Sequence, residues 1–215
     1  LALTLAGAIA AGAAGAADKP VKIGMITTLS GGGAALGVDA RDAFQLALDL
    51  KGGKFGGVPT ELLVADDAQK VENAKQIATR FLKQDDVDVV TGIVWSNLAI
   101  AVVPTVTRAG KIYVSTNAGP SILAGKGCDA NYFNAAYQND NLHEAVGQYV
   151  TDKGLKRLYL LAPNYPAGKD SITGFKRFFK GEVVAEVYTT LGQVDYAAEI
   201  ANLRAAKPDG VFFFL

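Results

Sequence analysis

The sequence has 215 residues, half of them hydrophobic and a fifth charged, a globular composition with apolar material for one large core or two modest ones. Twenty-one basic residues balance twenty-one acidic ones, so no global field holds a polyanion or an anionic membrane, and nucleic acid is not an expected partner. One Cys leaves no material for an intrachain disulfide, and one His leaves none for a cluster of several His ligands.

Residues 1–17, LALTLAGAIAAGAAGAA, carry no charge, and charged residues begin at Asp18. An apolar stretch this short, closing on small residues with Ala14-Gly15-Ala16 in an A-x-A arrangement, reads as the h-region and cleavage site of a secretory signal; a membrane span needs about 20 apolar residues. Neither an initiator Met nor a basic n-region precedes it, so the sequence is expected to begin inside the signal. Cys128 is then expected in an oxidising compartment, with any partner outside these residues.

From Lys19 onward, short β-branched runs alternate with longer amphipathic ones, the pattern of βαβ units and a parallel sheet. VKIGMITTL (21–29) predicts a first strand, followed by a Gly-rich stretch and a helix over about 35–50. TELLVADD (60–67) predicts the second strand. The helix after it places Val71, Ala74, Ile77, Ala78 and Phe81 on one face and leaves Lys75, Arg80 and Lys83 for solvent. VDVVTG (87–92) reads as a buried strand, 96–108 as a helix interrupted by Pro104, and KIYVST (111–116) as a fourth strand. The stretch from Asn117 to Asn141 reads as irregular. The alternation then restarts with a helix over 142–153, a strand over 157–162, a helix over 169–180 and a strand over 183–189. A helix over 196–206 and the apolar strand PDGVFFFL complete the sequence.

The spacing predicts an α/β fold of two Rossmann-like lobes with parallel sheets and a ligand cleft between them. The expected organisation is a leader at 1–17, a first lobe at 18–138 and a second, incomplete lobe at 139–215. A lobe that stops on an apolar strand is expected to continue beyond Leu215.

Several motifs imitate catalytic or cofactor chemistry. Gly31, Gly33 and Gly37 follow a strand and precede a helix, as in a dinucleotide-binding loop, but G-x-G-x-x-x-G departs from the usual spacing, and Asp49 falls on the helix and not at the end of the second strand. Asp66 and Asp67 are neighbours on extended chain and point to opposite sides, so they cannot converge on one bond; capping of the next helix is the expected role. His143 is expected to be a surface or satisfied helical residue. Cys128 lacks a His to make it a nucleophile.

Six segments in order, VKIGMITTLSGGGAALG, LLVADDAQKVENAKQIATRFL, VDVVTGIVWSNLAIAVVP, KIYVSTNAGPSIL, NYPAGKDSITGFKRFF and DYAAEIANLRAAKPDGVFF, resemble the type I periplasmic binding proteins of the leucine/isoleucine/valine-binding branch. The resemblance runs from Val21 to Leu215. It implies a non-enzymatic, cofactor-free, monomeric periplasmic receptor that closes over a small carboxylate-bearing solute and delivers it to an inner-membrane ABC permease. Ser96 matches the serine that holds the ligand carboxylate, with Asn97 beside it at the helix start; the alternative is that either residue only caps its own helix. Asn117, Ala118 and Gly119 match the second loop on the ligand's polar end. Leu36 stands where an aromatic ring is common, Trp95 lies beside Ser96, and Tyr165 matches the aromatic of the second lobe. Leu36 and Trp95 leave a branched-chain amino acid and an aromatic carboxylate both open as ligand. A Rossmann-type oxidoreductase and a sensory module of the same fold are the competing readings.

Overall fold

A computed structural model describes residues 19–215. The leader expected at 1–17 lies outside the described residues.

Strand β1 (Val21–Thr27) is buried over its last five residues. It lies between β3 (Val58–Asp66) and β4 (Val89–Thr91), parallel to both. A strand covered on both faces reads as one apolar run, which is why VKIGMIT lacks alternation. Between β1 and β3 come helix α1 (Ala34–Leu50) and the two-residue strand β2 (Lys54–Phe55). β2 and β3 form an antiparallel hairpin about Gly56 and Gly57, at φ of 58° and 84°. Positive φ at both turn positions suits the right-handed twist of the flanking strands.

Helix α2 (Val71–Lys83) buries Ala74, Ala78 and Phe81, the face its periodicity predicts. Helix α3 (Ser96–Arg108) is continuous, so the interruption expected at Pro104 does not occur. A proline costs a helix interior one N–H bond, and here burial of Val102, Val103 and Val106 in the core offsets that loss. Strand β5 (Ile112–Ser115), the single-turn α4 (Ser121–Ala124) and strand β6 (Tyr132–Asn134) follow, the last two inside the segment read as irregular. Tyr132 stacks on the buried Tyr113 with ring centroids 6.0 Å apart. The first sheet runs β2-β3-β1-β4-β5-β6.

Helix α5 (Asn139–Asp152) begins three residues before its expected start, and α6 (Pro166–Phe178) begins at its proline. Proline at the first helical position fixes φ for the helix and loses no intrahelical bond there. Strands β7 (Arg157–Pro163), β8 (Glu182–Thr189) and β9 (Gly210–Phe213) form a second, parallel sheet in the order β8-β7-β9, with α7 (Ala197–Ala206) between β8 and β9. α5 and α6 pack at backbone distance: a Cβ on Gly147 would sit 2.2 Å from the Phe175 carbonyl oxygen, and one on Gly174 would sit 2.3 Å from that of Asp140. Leu158, Leu160, Ile172, Phe175 and Phe212 make the second core.

Among the described residues, no helix is long and apolar enough to cross a membrane, and no cluster of three His, Cys, Asp or Glu could hold a metal. Cys128 is exposed and free.

Candidate functional site

The carboxyl ends of both sheets open on one space, as expected where parallel strands hand over to helices. Two adjoining cavities, of about 240 and about 480 Å3, share Val94, Asn117, Tyr165 and Phe214 as walls. The first two residues come from loops of the first sheet, the last two from the second.

The head of α3 forms one wall. Its first intrahelical bond runs from the Ala99 N–H to the Trp95 carbonyl at 3.0 Å, so the N–H groups of Ser96, Asn97 and Leu98 have no carbonyl inside the helix. Trp95 occupies the cap position and no side chain bonds there, so capping is not the role of Ser96 or Asn97. Ser96 is 2% exposed and lines the smaller cavity. Its Oγ accepts a hydrogen bond from Asn139 Nδ2 at 3.0 Å; the same amide donates to Asp170 Oδ2, also at 3.0 Å. Asn139 opens α5 and Ala167 lies in the first turn of α6, and both line this cavity. Three helix N-termini therefore converge on it, a positive field built without a cationic side chain.

The aromatic walls come from both lobes. Tyr165, the cap of α6, stacks on Phe214 at 6.5 Å between centroids and 11° between planes. It faces Trp95 at 6.4 Å and 58°. Burial, and secondarily the Asp170 charge, pushes the Tyr165 phenol up to about 12, so its O–H stays protonated at neutral pH. Leu36, half exposed, lines the larger cavity beside Gly33 and Trp95.

Of the residues singled out in the sequence, Ser96, Ala118 and Asn117 line the smaller cavity, Leu36, Trp95 and Asn117 the larger, and Tyr165 both. Asn97 and Gly119 lie off these walls. Asn97 turns its Oδ1 into a buried position with no protein partner. The Gly119 carbonyl accepts the Asn139 N–H at 2.8 Å, and a Cβ on Gly119 would meet the Tyr137 carbonyl oxygen at 2.2 Å. Gly119 thus serves the close approach of two chain segments. The Asn117 carboxamide donates to the Val94 carbonyl at 2.9 Å, tying together the loops after β4 and β5.

His143 was expected at the surface or satisfied on its helix; it lines the smaller cavity instead. Its ring meets Phe212 and Phe214 edge-on at 5.5 and 5.3 Å. Burial lowers its pKa from 6.5 despite the Asp140 charge, so the imidazole is neutral at pH 7. Asp66 and Asp67 were expected to cap α2, whose cap is Lys70. They close the turn before it: Asp66 Oδ1 accepts from the N–H groups of Leu29 and Ala68, and Asp67 Oδ1 from the Thr28 hydroxyl and the Gln69 N–H. These bonds hold Ala68 and Gln69 at φ of 50° and 60°, left-handed backbone that side-chain acceptors of this kind stabilise. Burial raises the Asp67 carboxyl above the ordinary range, while the Thr28 and Gln69 bonds pull the other way.

Two of the three glycines of the G-x-G-x-x-x-G loop are packed against, while Gly31 is open. A Cβ on Gly33 would come 2.3 Å from Trp95 Cζ2, and one on Gly37 would come 1.9 Å from the Thr28 carbonyl oxygen. The Trp95 indole lies against Gly33, and Asp49 accepts a hydrogen bond from Gln45 on α1.

The sequence profile described as "Periplasmic binding protein" matches residues 20–215. The chain belongs to this family. A Leu/Ile/Val-binding protein homolog 6 of Brucella abortus is 24% identical over 219 residues, covering 100% of this chain and 56% of the relative. A solute-binding protein of an ABC transporter from R. palustris, solved in complex with benzoate, superposes with a TM-score of 0.87 at 29% identity, over 92% of this chain and 56% of that one. A branched-chain amino acid transporter substrate-binding protein of Streptococcus pneumoniae, solved with isoleucine, gives 0.81 at 27%, over 91% and 57%. This periplasmic binding protein chain thus spans about 56% of the first two relatives' length. The α/β architecture and the family resemblance expected from the sequence are those found, and its relatives bind solutes for ABC transporters.

Proposed function

We propose that the chain is the ligand-binding part of a periplasmic substrate-binding protein that closes over an aromatic carboxylate and presents it to an ABC permease, without chemistry and without a cofactor. The observation that carries this reading is the pairing of the stacked Tyr165 and Phe214 with Trp95 across the two adjoining cavities. Flat rings bury large apolar area between such walls. The carboxylate is matched by the converging helix N-termini, with the Ser96 hydroxyl as a donor.

A branched-chain amino acid is the second reading, favoured by the names of the Brucella relatives and by the isoleucine complex. Its ammonium group needs an acidic or carbonyl partner once desolvated. The distinction rests on calorimetry of the full-length protein with benzoate and with isoleucine. Benzoate is expected to bind at least about tenfold tighter, a difference near 1.4 kcal/mol. The reverse order replaces the aromatic ligand by the amino acid, and no binding of either removes the carboxylate reading.

Closure follows from contacts that both lobes make together only in the closed state, so the ligand shifts the population by its differential affinity. A sensory role would use the same cleft, and permease or kinase genes beside this one separate the two.

A further inference from the structure

Trp95 is the single tryptophan of the sequence, and groups outside both cavities hold its ring. The indole Nε1–H donates to Thr28 Oγ1 at 2.9 Å, and the Thr28 hydroxyl donates to Asp67 Oδ1 at 2.6 Å. The Gln69 N–H donates to the same carboxylate oxygen at 2.8 Å. Thr28 and Asp67 have no exposed surface. A threonine hydroxyl has one proton; the carboxylate takes it, so a lone pair is left facing the indole and the direction of the relay is fixed. Against the ring lies Gly33, whose missing Cβ gives the indole room.

Bonds to a buried carboxylate are stronger than neutral ones, and a chain of them leaves each member little freedom. The turn that carries Asp67 is itself held in left-handed backbone at Ala68 and Gln69. A turn of this cost is kept where the groups it aims have a use. Gln69 and Trp95 both line the larger cavity.

We propose that Thr28 and Asp67 are positioning residues that lock the Trp95 indole as a fixed wall of the cleft, and that this fixed wall sets the preference for a flat ring over a branched aliphatic side chain. The specificity clause rests on the function proposed above; the locking of the indole does not. A wall ordered in advance spares the ligand the cost of ordering it, and a planar ligand gains most from a planar surface that does not move.

The test uses the full-length protein and the nitrogen-15 indole resonance of Trp95, assigned by its loss in Trp95→Phe. In Thr28→Val, solvent exchange of the indole proton is expected to accelerate at least about tenfold. Benzoate affinity is expected to fall about three- to tenfold while isoleucine affinity changes less. Thr28→Ser, which keeps the hydroxyl, is expected to restore both. Should the valine variant not fold, Asp67→Asn, which weakens the acceptor that orients the Thr28 hydroxyl, is expected to speed indole exchange in the same direction, and unchanged exchange there overturns the locking. Unchanged indole exchange in Thr28→Val, or a serine variant that behaves like the valine one, overturns the locking. Faster exchange with an unchanged benzoate-to-isoleucine ratio overturns the link to specificity. If the wild-type protein binds neither compound, the proposed function and the specificity clause fall together, and indole exchange still decides the locking.

Discussion

Ser96 accepts a hydrogen bond from Asn139 and keeps its own O–H to give. At the head of a helix, two further turns of positive potential converging on the same cavity, a hydroxyl is suited to a carboxylate. Ser96→Ala is expected to weaken benzoate binding by about 1.5–3 kcal/mol, the value of a hydrogen bond to a charged group. Calorimetry on the full-length protein checks it, and an unchanged affinity takes Ser96 out of the site. His143 is the contrasting case. Its neutral ring, edge-on to two phenylalanines, supplies a wall and no charge, so binding is expected to owe nothing to imidazolium at neutral pH.

Helices α5 and α6 touch through Gly147 and Gly174, and that closeness buries Asp140 to 1% exposure. Burial alone would raise the Asp140 carboxyl. Hydrogen bonds from Arg177, at 2.6 Å, and from Gln138 outweigh it and hold the group below 3.8. A lowered folded-state value means that the contribution is complete above the unfolded value and is lost as pH falls through the folded one. Arg177→Met is expected to cost about 2 kcal/mol at pH 7, at the modest end for a buried carboxylate because half of Arg177 is exposed. Its urea-unfolding midpoint is also expected to depend less on pH below about 4. An acid profile identical to wild type rejects this account of the pair.

Across the whole molecule, the two sheets are joined by a small polar junction. Asp170, on α6, accepts the Ser121 N–H from the first lobe and the Asn139 amide, each at 3.0 Å, and Asn139 carries the connection on to Ser96. The groups that align the lobes are thus one bond away from the group placed to meet the ligand. Asp170→Ala leaves the Ser121 donor without its acceptor and is expected to lower stability by about 1–2 kcal/mol, read by urea unfolding. It is also expected to speed amide exchange at Ser121. Unaltered exchange at that amide shows that the junction is held elsewhere.

The alternation of strand and helix was legible because its signals are local. A buried parallel strand is an apolar run and an amphipathic helix repeats its apolar face, whereas the start of α6 at Pro166 was missed, the helix being expected only from 169. β2 and β6 escaped because two or three residues carry no periodicity. The Gly56-Gly57 pair beside Lys54-Phe55 was the available signal for the first. The site divided in the same way. Ser96 and Tyr165 were picked out by a family pattern, and both line the cavities. His143 was not, because Phe212 and Phe214 come beside it from the far end of the sequence, and its neutrality follows from that burial. The relay from Asp67 through Thr28 to Trp95 joins three separate loops; no spacing along the chain encodes it. Hydrophobic pattern and turn chemistry act between near neighbours and fix the elements, whereas a cavity wall is a meeting of distant residues and exists only once the sheets have set their register.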